Sequence, residues 1–390
     1  MTERWFWLDG GGTQEWAGRR SIVGRLAEDD LSLVYDATRR EVVAHPSGEV
    51  VGDDVFTVLG ELLDGDPATH WVGCFGYAAR GDLPARSMPG VPDAIWMRTR
   101  DVRLTHEPVA VPGLPAGSAS SPAVPPWYAE AFERVQEALH AGDTYELNLT
   151  YREDVPSGLT PLGIYQRMRV GNPAPYAGLL RHGDTWLLSA SPERFATVDR
   201  HRVLETRPIK GTTPRGRTPE EDEELRRHLA TDTKYRAENL MIVDLLRNDL
   251  SLVCEPGSVE VPRLMEVESY ASVHQLVSTV RGRLRGGVGT LDALRALFPA
   301  GSMTGAPKLR TMELIDAVEE SPRGLYAGAF GWISGDGRAD LGVVIRSLFR
   351  TGDGPWQLGT GGGITVRSDP AEEWAESRWK AERLRAAAED

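Results

Sequence analysis

Cysteine is nearly missing from this chain: Cys74 and Cys254 are the only two in 390 residues. Two thiols offer neither a disulfide framework nor a CxxC metal cluster, and such sparse use fits a reducing compartment. No stretch approaches the ~18 apolar residues that a membrane-spanning helix needs. The opening MTERWFWLDGGG has no basic segment followed by an apolar one, so no secretory signal is read there. A soluble, cytoplasmic protein is expected. Basic charge is in deficit as well, with 44 Lys and Arg against 57 Asp and Glu, a formal net charge of −13. That field repels nucleic acid and anionic membrane, so neither is expected as a partner. A local basic cluster then calls for a specific anionic ligand. Internal repeats are absent, as are GxxxxGK[ST] and GxGxxG, which leaves nucleotide binding poorly supported.

What is present suffices for a large core, since 41% of residues are hydrophobic. Residues 1–106 read as short strands and turns: RWFWLDGGG, LSLVYDATRREVVAH and HWVGCFGYAARGD are aromatic and β-branched runs cut by Gly and Asp. Residues 107–126, EPVAVPGLPAGSASSPAVPP, are rich in Pro, Gly and Ser without apolar period, and read as an exposed connection. From 127 to 390 helices and strands mix. Phe132, Val135 and Leu139 recur at helical spacing before Gly142. Further helices are predicted over 232–249, from Pro307 to Val318, and from SDPAEEW onward. Strands are predicted at TYELNLTYRED, YAGLLRHGDTWLLSASPERFATV, RVLETRP, YAGAFGWIS, LGVVIRSLFR and WQLGTGGGITV. Mixed runs rather than strict βαβ alternation favour an α+β fold with antiparallel sheets.

Several residues stand out chemically. In TRPIKGTTPRG a single lysine, Lys210, lies among glycines, threonines and prolines. Such a lysine holds an anion, makes a covalent bond, or sits idle in water. Glu238 shares a helical stripe with Met241, Ile242 and Leu245. A carboxylate there costs roughly several kcal/mol unless its charge is compensated, and a buried pair with Arg236, Arg247 or another cation explains it as well as a function does. In the last helix Asp369 is placed to cap and Pro370 to open the first turn. Glu373, Glu376 and Lys380 then share one face, although first-turn acids and i, i+4 pairs are also ordinary surface features. Two helical glutamates facing one cleft suit Mg²⁺, a hard ion that takes one or two protein carboxylates. No His/Cys spacing offers a softer metal a site. GTGGGIT and FPAGSMTGAPK present bare amides able to cradle an anion, though glycine turns are usually only turns. Arg346, inside LGVVIRSLF, wants a bidentate carboxylate or phosphate partner.

Taken in order, SPERF, TRPIKGT, RAENLMIVDLLRNDL, HQLVSTV, FPAGSMTGAPK, GGGI and EEWAESRWKAER resemble the chorismate-utilising enzymes, a family of anthranilate, aminodeoxychorismate, isochorismate and salicylate synthases. The resemblance is dense over about 127–385 and looser before it. It implies a large two-layer antiparallel β-sandwich flanked by outer helices, to which the N-terminal region also contributes strands. It implies that Glu238 and Glu376 bind Mg²⁺, with Glu373 near the ion through water. Arg346, the backbone of Gly361, Gly362 and Gly363, and Lys380 would hold substrate carboxylate. Gly211, Thr212, Thr304 and Tyr326 would line the pocket, and Glu193 of SPERF would be the general acid at ring carbon 4.

Lysine in PIKGT, where anthranilate synthases carry alanine, resembles the aminodeoxychorismate synthase branch. There the lysine is a nucleophile: it adds at ring carbon 2, and ammonia then enters at carbon 4. The implied product is 4-amino-4-deoxychorismate, precursor of 4-aminobenzoate for folate. Such an amine must be neutral, so its pKa is expected to fall through desolvation or a cation such as Arg207. The family's histidine before LVS is Gln275 here, with His274 one place earlier as the substrate-facing candidate. Glu146 stands where water-adding relatives carry a lysine base and amino-transferring ones mostly glutamine. VGCFGYA around Cys74 lacks the spacing of a glutaminase nucleophile, so ammonia is expected from a separate glutamine amidotransferase subunit. The alternatives are another chorismate-aminating enzyme, such as anthranilate synthase component I, and a non-catalytic sensor on the same fold.

Overall fold

Two-residue alternation along the strands decides how this chain layers. In the computed structural model, which describes residues 3–10, 21–105, 123–270 and 273–389, Leu180, Leu187 and Phe349 point into the main core. Their sequence neighbours Leu179, Leu188 and Leu348 point the other way, under the helices Pro161–Gly171 and Pro370–Ala388. The strands that carry these leucines belong to a nine-stranded sheet, which packs across the main core on a twelve-stranded one. Every strand pairing among the described residues is antiparallel. The architecture is α+β.

The N-terminal region has no core of its own. Arg4–Asp9 pairs with Tyr176–His182 in the smaller sheet, and His70–Phe75 pairs with Ala329–Ser334 in the larger. Trp71, Phe75 and Trp96 accordingly share a cluster with Phe298 and Phe330. The connection expected at 107–126 lies, up to residue 122, outside the described residues. Among the described residues no helix is long and apolar enough to cross a membrane.

The structure redraws several elements. LGVVIRSLFR is not one strand: Ala339–Val343 belongs to the larger sheet and Ser347–Thr351 to the smaller, so Val344–Arg346 is a crossing between layers. Arg346 there takes φ 51°, a left-handed conformation that side chains rarely adopt. The strand expected at WQLGTGGGITV runs over Trp356–Ile364, and the glycines of GTGGGIT lie within it. HQLVSTV forms the strand Val273–Arg283, and the predicted helix 232–249 runs over Thr233–Ser251. The helix Pro219–Thr231 has no apolar stripe to announce it, because Leu229 is its only buried residue. Thr218 caps it, and Glu220, Glu221 and Asp222 fill its first turn.

Candidate active site

Two crossings between the sheets build the wall of a cavity lined by charged side chains. Pro192 and Glu193 carry the chain from Thr185–Ser191 in the smaller sheet to Arg194–Val198 in the larger. Val344–Arg346 carries it back. The crossings are tied together, the Val343 amide donating to the Glu193 carbonyl at 3.0 Å and the Ala190 amide to the Arg346 carbonyl at 3.1 Å. Between them and the two long helices lies a cavity of about 950 Å³ including its open mouth.

The placement of Lys210 answers why a lysine sits among glycines and threonines. The strand Ile209–Pro214 pairs with Val273–Arg283, and its register shifts between Ile209 and Thr212. Lys210 and Gly211 form that irregularity, which re-aims the lysine into the cavity. Gly211 holds φ 93°, and a Cβ there would lie 2.9 Å from Leu229 and from the Tyr235 ring. Inside, Lys210 donates to Glu146, itself only 1% exposed. Burial pulls the lysine pKa down, but the charges of Glu146, Glu238 and Glu193 outweigh it, and the net shift is upward. The expected fall is therefore not found in the protein without substrate. Arg207 does not bring it about either, since that guanidinium pairs with Glu268.

Glu193 is buried and accepts a 2.6 Å hydrogen bond from the Ser302 hydroxyl. Burial raises its pKa to about 7, against the opposing effects of Ser302 and Lys210. Glu238 faces the same space from its helix. Burial takes its pKa to about 8, the pull of Lys210 being partly cancelled by Glu146. From the last helix, Glu373 accepts from Lys234 at 2.8 Å and from Ser368 at 2.7 Å. Glu376 pairs with Lys380 at 2.8 Å, which lowers its pKa. Asp369 caps that helix through its first amides and so fixes both glutamates.

Arg346 has no carboxylate partner among the described residues. One Nη donates to the Lys380 carbonyl at 3.2 Å, and burial together with the Arg383 charge lowers its pKa to about 10. A cation in that condition is a strong receptor for a substrate anion. The glycine run forms the floor. A side chain at Gly359 would overlap the Tyr326 ring, and one at Gly361 the neighbouring strand's backbone. Gly362 lies beneath Glu373 and Lys380, and Gly363 beneath Glu146 and Lys210. The strand Ser347–Thr351 pairs only as far as Leu358, so this edge is open, and Lys380 donates to the Gly361 carbonyl across it at 3.0 Å.

Lys210, Gly211, Thr212, Glu193, Glu238, Tyr326, Arg346, Gly361, Gly362, Gly363, Glu373, Glu376 and Lys380 all line the cavity. Two expected residues do not. His274 faces away, with one ring nitrogen 3.0 Å from Asp222 and the other 2.8 Å from Ser269. Its neighbour Gln275 takes the inward position, because successive strand residues point to opposite faces. Thr304 turns its hydroxyl back to the Ala300 and Gly301 carbonyls, and Ser302 and Met303 line the wall instead. The anion cradle expected from FPAGSMTGAPK does not form either: Gly305–Ala306 pairs with the strand at Glu146, and the following helix starts outside the lining.

Sequence reading also missed Lys234, Asn148 and Ser302. For Lys234 a signal existed. The chain has only four lysines, Lys210, Lys234, Lys308 and Lys380, and three of them line this cavity. Glu146, Asn148, Glu238 and Gln275 each keep one buried oxygen that receives no hydrogen bond among the described residues. Such atoms are rare in folded proteins unless water, an ion or a ligand satisfies them.

Residues 33–386 match the sequence profile of a family described as chorismate binding enzyme. An aminodeoxychorismate synthase of Streptomyces griseus is 43% identical over 358 residues, covering 80% of this chain and 49% of the relative. Aminodeoxychorismate synthase component 1 of Bacillus subtilis is 40% identical over 266 residues, covering 68% of this chain and 56% of the relative. The chain thus spans about half the length of these two proteins. Anthranilate synthase component I from Streptococcus pneumoniae superposes with a TM-score of 0.78 at 25% identity, over 96% of this chain and 94% of that one. With a profile match over nearly its whole length, two facing antiparallel sheets and this cavity at their crossings, the chain belongs to the chorismate binding enzyme family.

Proposed function

We propose that the chain converts chorismate and ammonia to 4-amino-4-deoxychorismate, with ammonia supplied by a glutamine amidotransferase on a separate chain. The observation that carries this reading is the bulge that turns Lys210 into a cavity shared with the buried acid Glu193. Arg346 and the open glycine edge bind and orient substrate carboxylate. The Lys210 amine adds at ring carbon 2, the ring double bonds shift, and the bond from carbon 4 to its hydroxyl breaks. Glu193 gives that hydroxyl a proton, so it leaves as water. Its pKa of about 7 lets it hold a proton at neutral pH and release it. Ammonia then adds at carbon 4, the double bonds return, and Lys210 departs. Held at carbon 2, the lysine also keeps ammonia from that position.

Mg²⁺ fits the acids that line the cavity. The donors are all oxygen, and one buried oxygen of Glu238 has no hydrogen bond among the described residues. Among the described residues no three acidic, histidine or cysteine side chains converge into a self-sufficient metal site. An ion there would be held by one or two carboxylates and completed by water and substrate. Glu238 and Glu376 would hold it, with Glu373 close by. Bound there, the ion supplies charge compensation for a substrate carboxylate. Alanine at Glu238 or Glu376 is expected to abolish turnover while the fold persists, as judged by circular dichroism. Wild-type-like turnover by either variant in excess chelator would overturn the assignment.

Neither cysteine of the chain can serve as a glutaminase nucleophile. Cys74 is fully buried, and burial pushes its thiol to about 12; Cys254 is buried as well, its thiol raised to about 11. The purified chain is expected to form 4-amino-4-deoxychorismate from chorismate, Mg²⁺ and ammonium salts at alkaline pH, and to form none from glutamine. Mass analysis of the separated products distinguishes this product from anthranilate. Turnover with glutamine alone would contradict the need for a second chain.

A further inference from the structure

Glu146 has no part in the mechanism above, although its carboxylate is the group that meets Lys210. It opens the strand Glu146–Val155 and is paired with Ala306 on one neighbouring strand, while its own neighbour Leu147 pairs with Ile364 on the other. Gly363 makes room for the contact. A Cβ there would fall inside the radius of the Glu146 oxygen and 3.0 Å from the lysine nitrogen. Three carboxylates act on Lys210 from three elements, Glu146, Glu238 and Glu193. Glu193 is engaged by Ser302, and only Glu146 hydrogen-bonds the lysine among the described residues. The second Glu146 oxygen is buried and has no hydrogen-bond partner among the described residues, so it remains available to accept a proton or a donor.

We propose that Glu146 is the proton partner of Lys210: it holds the amine as an ammonium before substrate binds, and takes up its proton when the nitrogen becomes a nucleophile. The inference rests on the nucleophilic reading of Lys210. Lys210 first gives one ammonium proton to Glu146, the lone pair so freed forms the bond to carbon 2, and the departing hydroxyl takes a different proton from Glu193. When ammonia bonds to carbon 4 and the bond from carbon 2 to nitrogen breaks, Glu146 returns the proton to Lys210. The new ammonium at carbon 4 gives up one proton to restore Glu193. The sum is chorismate and ammonia in, amino product and water out. Burial favours the neutral pair over the ion pair once water is displaced by substrate. An unpartnered lysine in the same cavity would lose its proton to solvent and stay reactive.

Competitive acetylation with acetic anhydride tests this, because only a neutral amine reacts. Wild type, Glu146→Gln and Glu146→Asp are labelled across a pH series in metal-free buffer, and the peptide holding Lys210 is read by mass spectrometry. With four lysines in the chain every site is resolved. Glu146→Gln is expected to lower the Lys210 midpoint by more than one pH unit, about a tenfold faster reaction at neutral pH. Glu146→Asp, which keeps the charge, should stay near wild type. Lys308, paired with Asp249 outside the cavity, serves as the internal reference. A Lys210 midpoint in Glu146→Gln within a few tenths of wild type would overturn the proposal. Turnover assayed in parallel separates the two readings. A shifted midpoint in a chain that never aminates chorismate sinks the proposed function and leaves the pairing intact, whereas an unshifted midpoint in an active enzyme sinks the pairing alone.

Discussion

Lys210→Ala is expected to lose formation of 4-amino-4-deoxychorismate by on the order of 10³-fold or more, because positioning one amine against ring carbon 2 supplies much of the rate. Residual turnover should drift toward a 2-amino product or anthranilate, since carbon 2 is then open to ammonia. The variant should fold. It shortens a side chain that lines an open cavity rather than one packed in the apolar core. Lys210→Arg should be inactive, because a guanidinium stays protonated and cannot attack. Product analysis distinguishes this from a merely electrostatic role. A lysine that only clamped carboxylate would be partly replaced by arginine, and its loss would weaken substrate binding without redirecting the product.

Glu193→Gln joins a large loss of rate to a gain of stability. A positioned general acid contributes roughly 10²–10⁴-fold, and the amide cannot give a proton to the leaving hydroxyl. The carboxyl is buried against Ser302, with a pKa raised to about 7 in the fold. A raised pKa means that the folded state prefers the protonated form. Its contribution to stability is therefore complete below the ordinary carboxylate pKa and lost as pH rises through about 7. The loss amounts to roughly 3 kcal/mol at alkaline pH, from a rise of about 2.5 units above the ordinary value of 4.5 at 1.36 kcal/mol for each unit. Glutamine has no such loss. Thermal unfolding at pH 5 and at pH 9 should show the variant gaining on wild type only at the higher value. Equal differences at both pH values would mean that Glu193 is not buried as an acid.

The sequence exposed the core strands because aromatic and β-branched runs are hard to place anywhere but in a sheet, and it exposed the last helix through Asp369 and Pro370. It hid what depends on the meeting of distant segments. LGVVIRSLFR reads as one strand because nothing local marks the change of sheet at Val344–Arg346. Arg346 was legible as an anion receptor all the same, since a guanidinium in an apolar run needs a reason. His274 and Gln275 show the limit of a one-residue reading: they differ by one pleat, and only strand pairing decides which faces the cavity. The charged helix Pro219–Thr231 was unreadable by apolar period, yet it carries Leu229, which packs over Gly211. Lys210 itself was legible as unusual. Its ionisation was not, because Glu146 approaches it from a strand 64 residues away in sequence.

The most direct measurement of the account's central claim is intact-protein mass spectrometry of the wild-type chain incubated with chorismate and Mg²⁺ in the absence of ammonia. Lys210 as nucleophile predicts a protein species heavier by chorismate less one water, with the added mass on the peptide that holds Lys210, and its discharge to 4-amino-4-deoxychorismate when ammonium is supplied. An enzyme that forms the 4-amino product without ever showing that species, and whose Lys210→Ala variant makes it at the wild-type rate, would contradict the account.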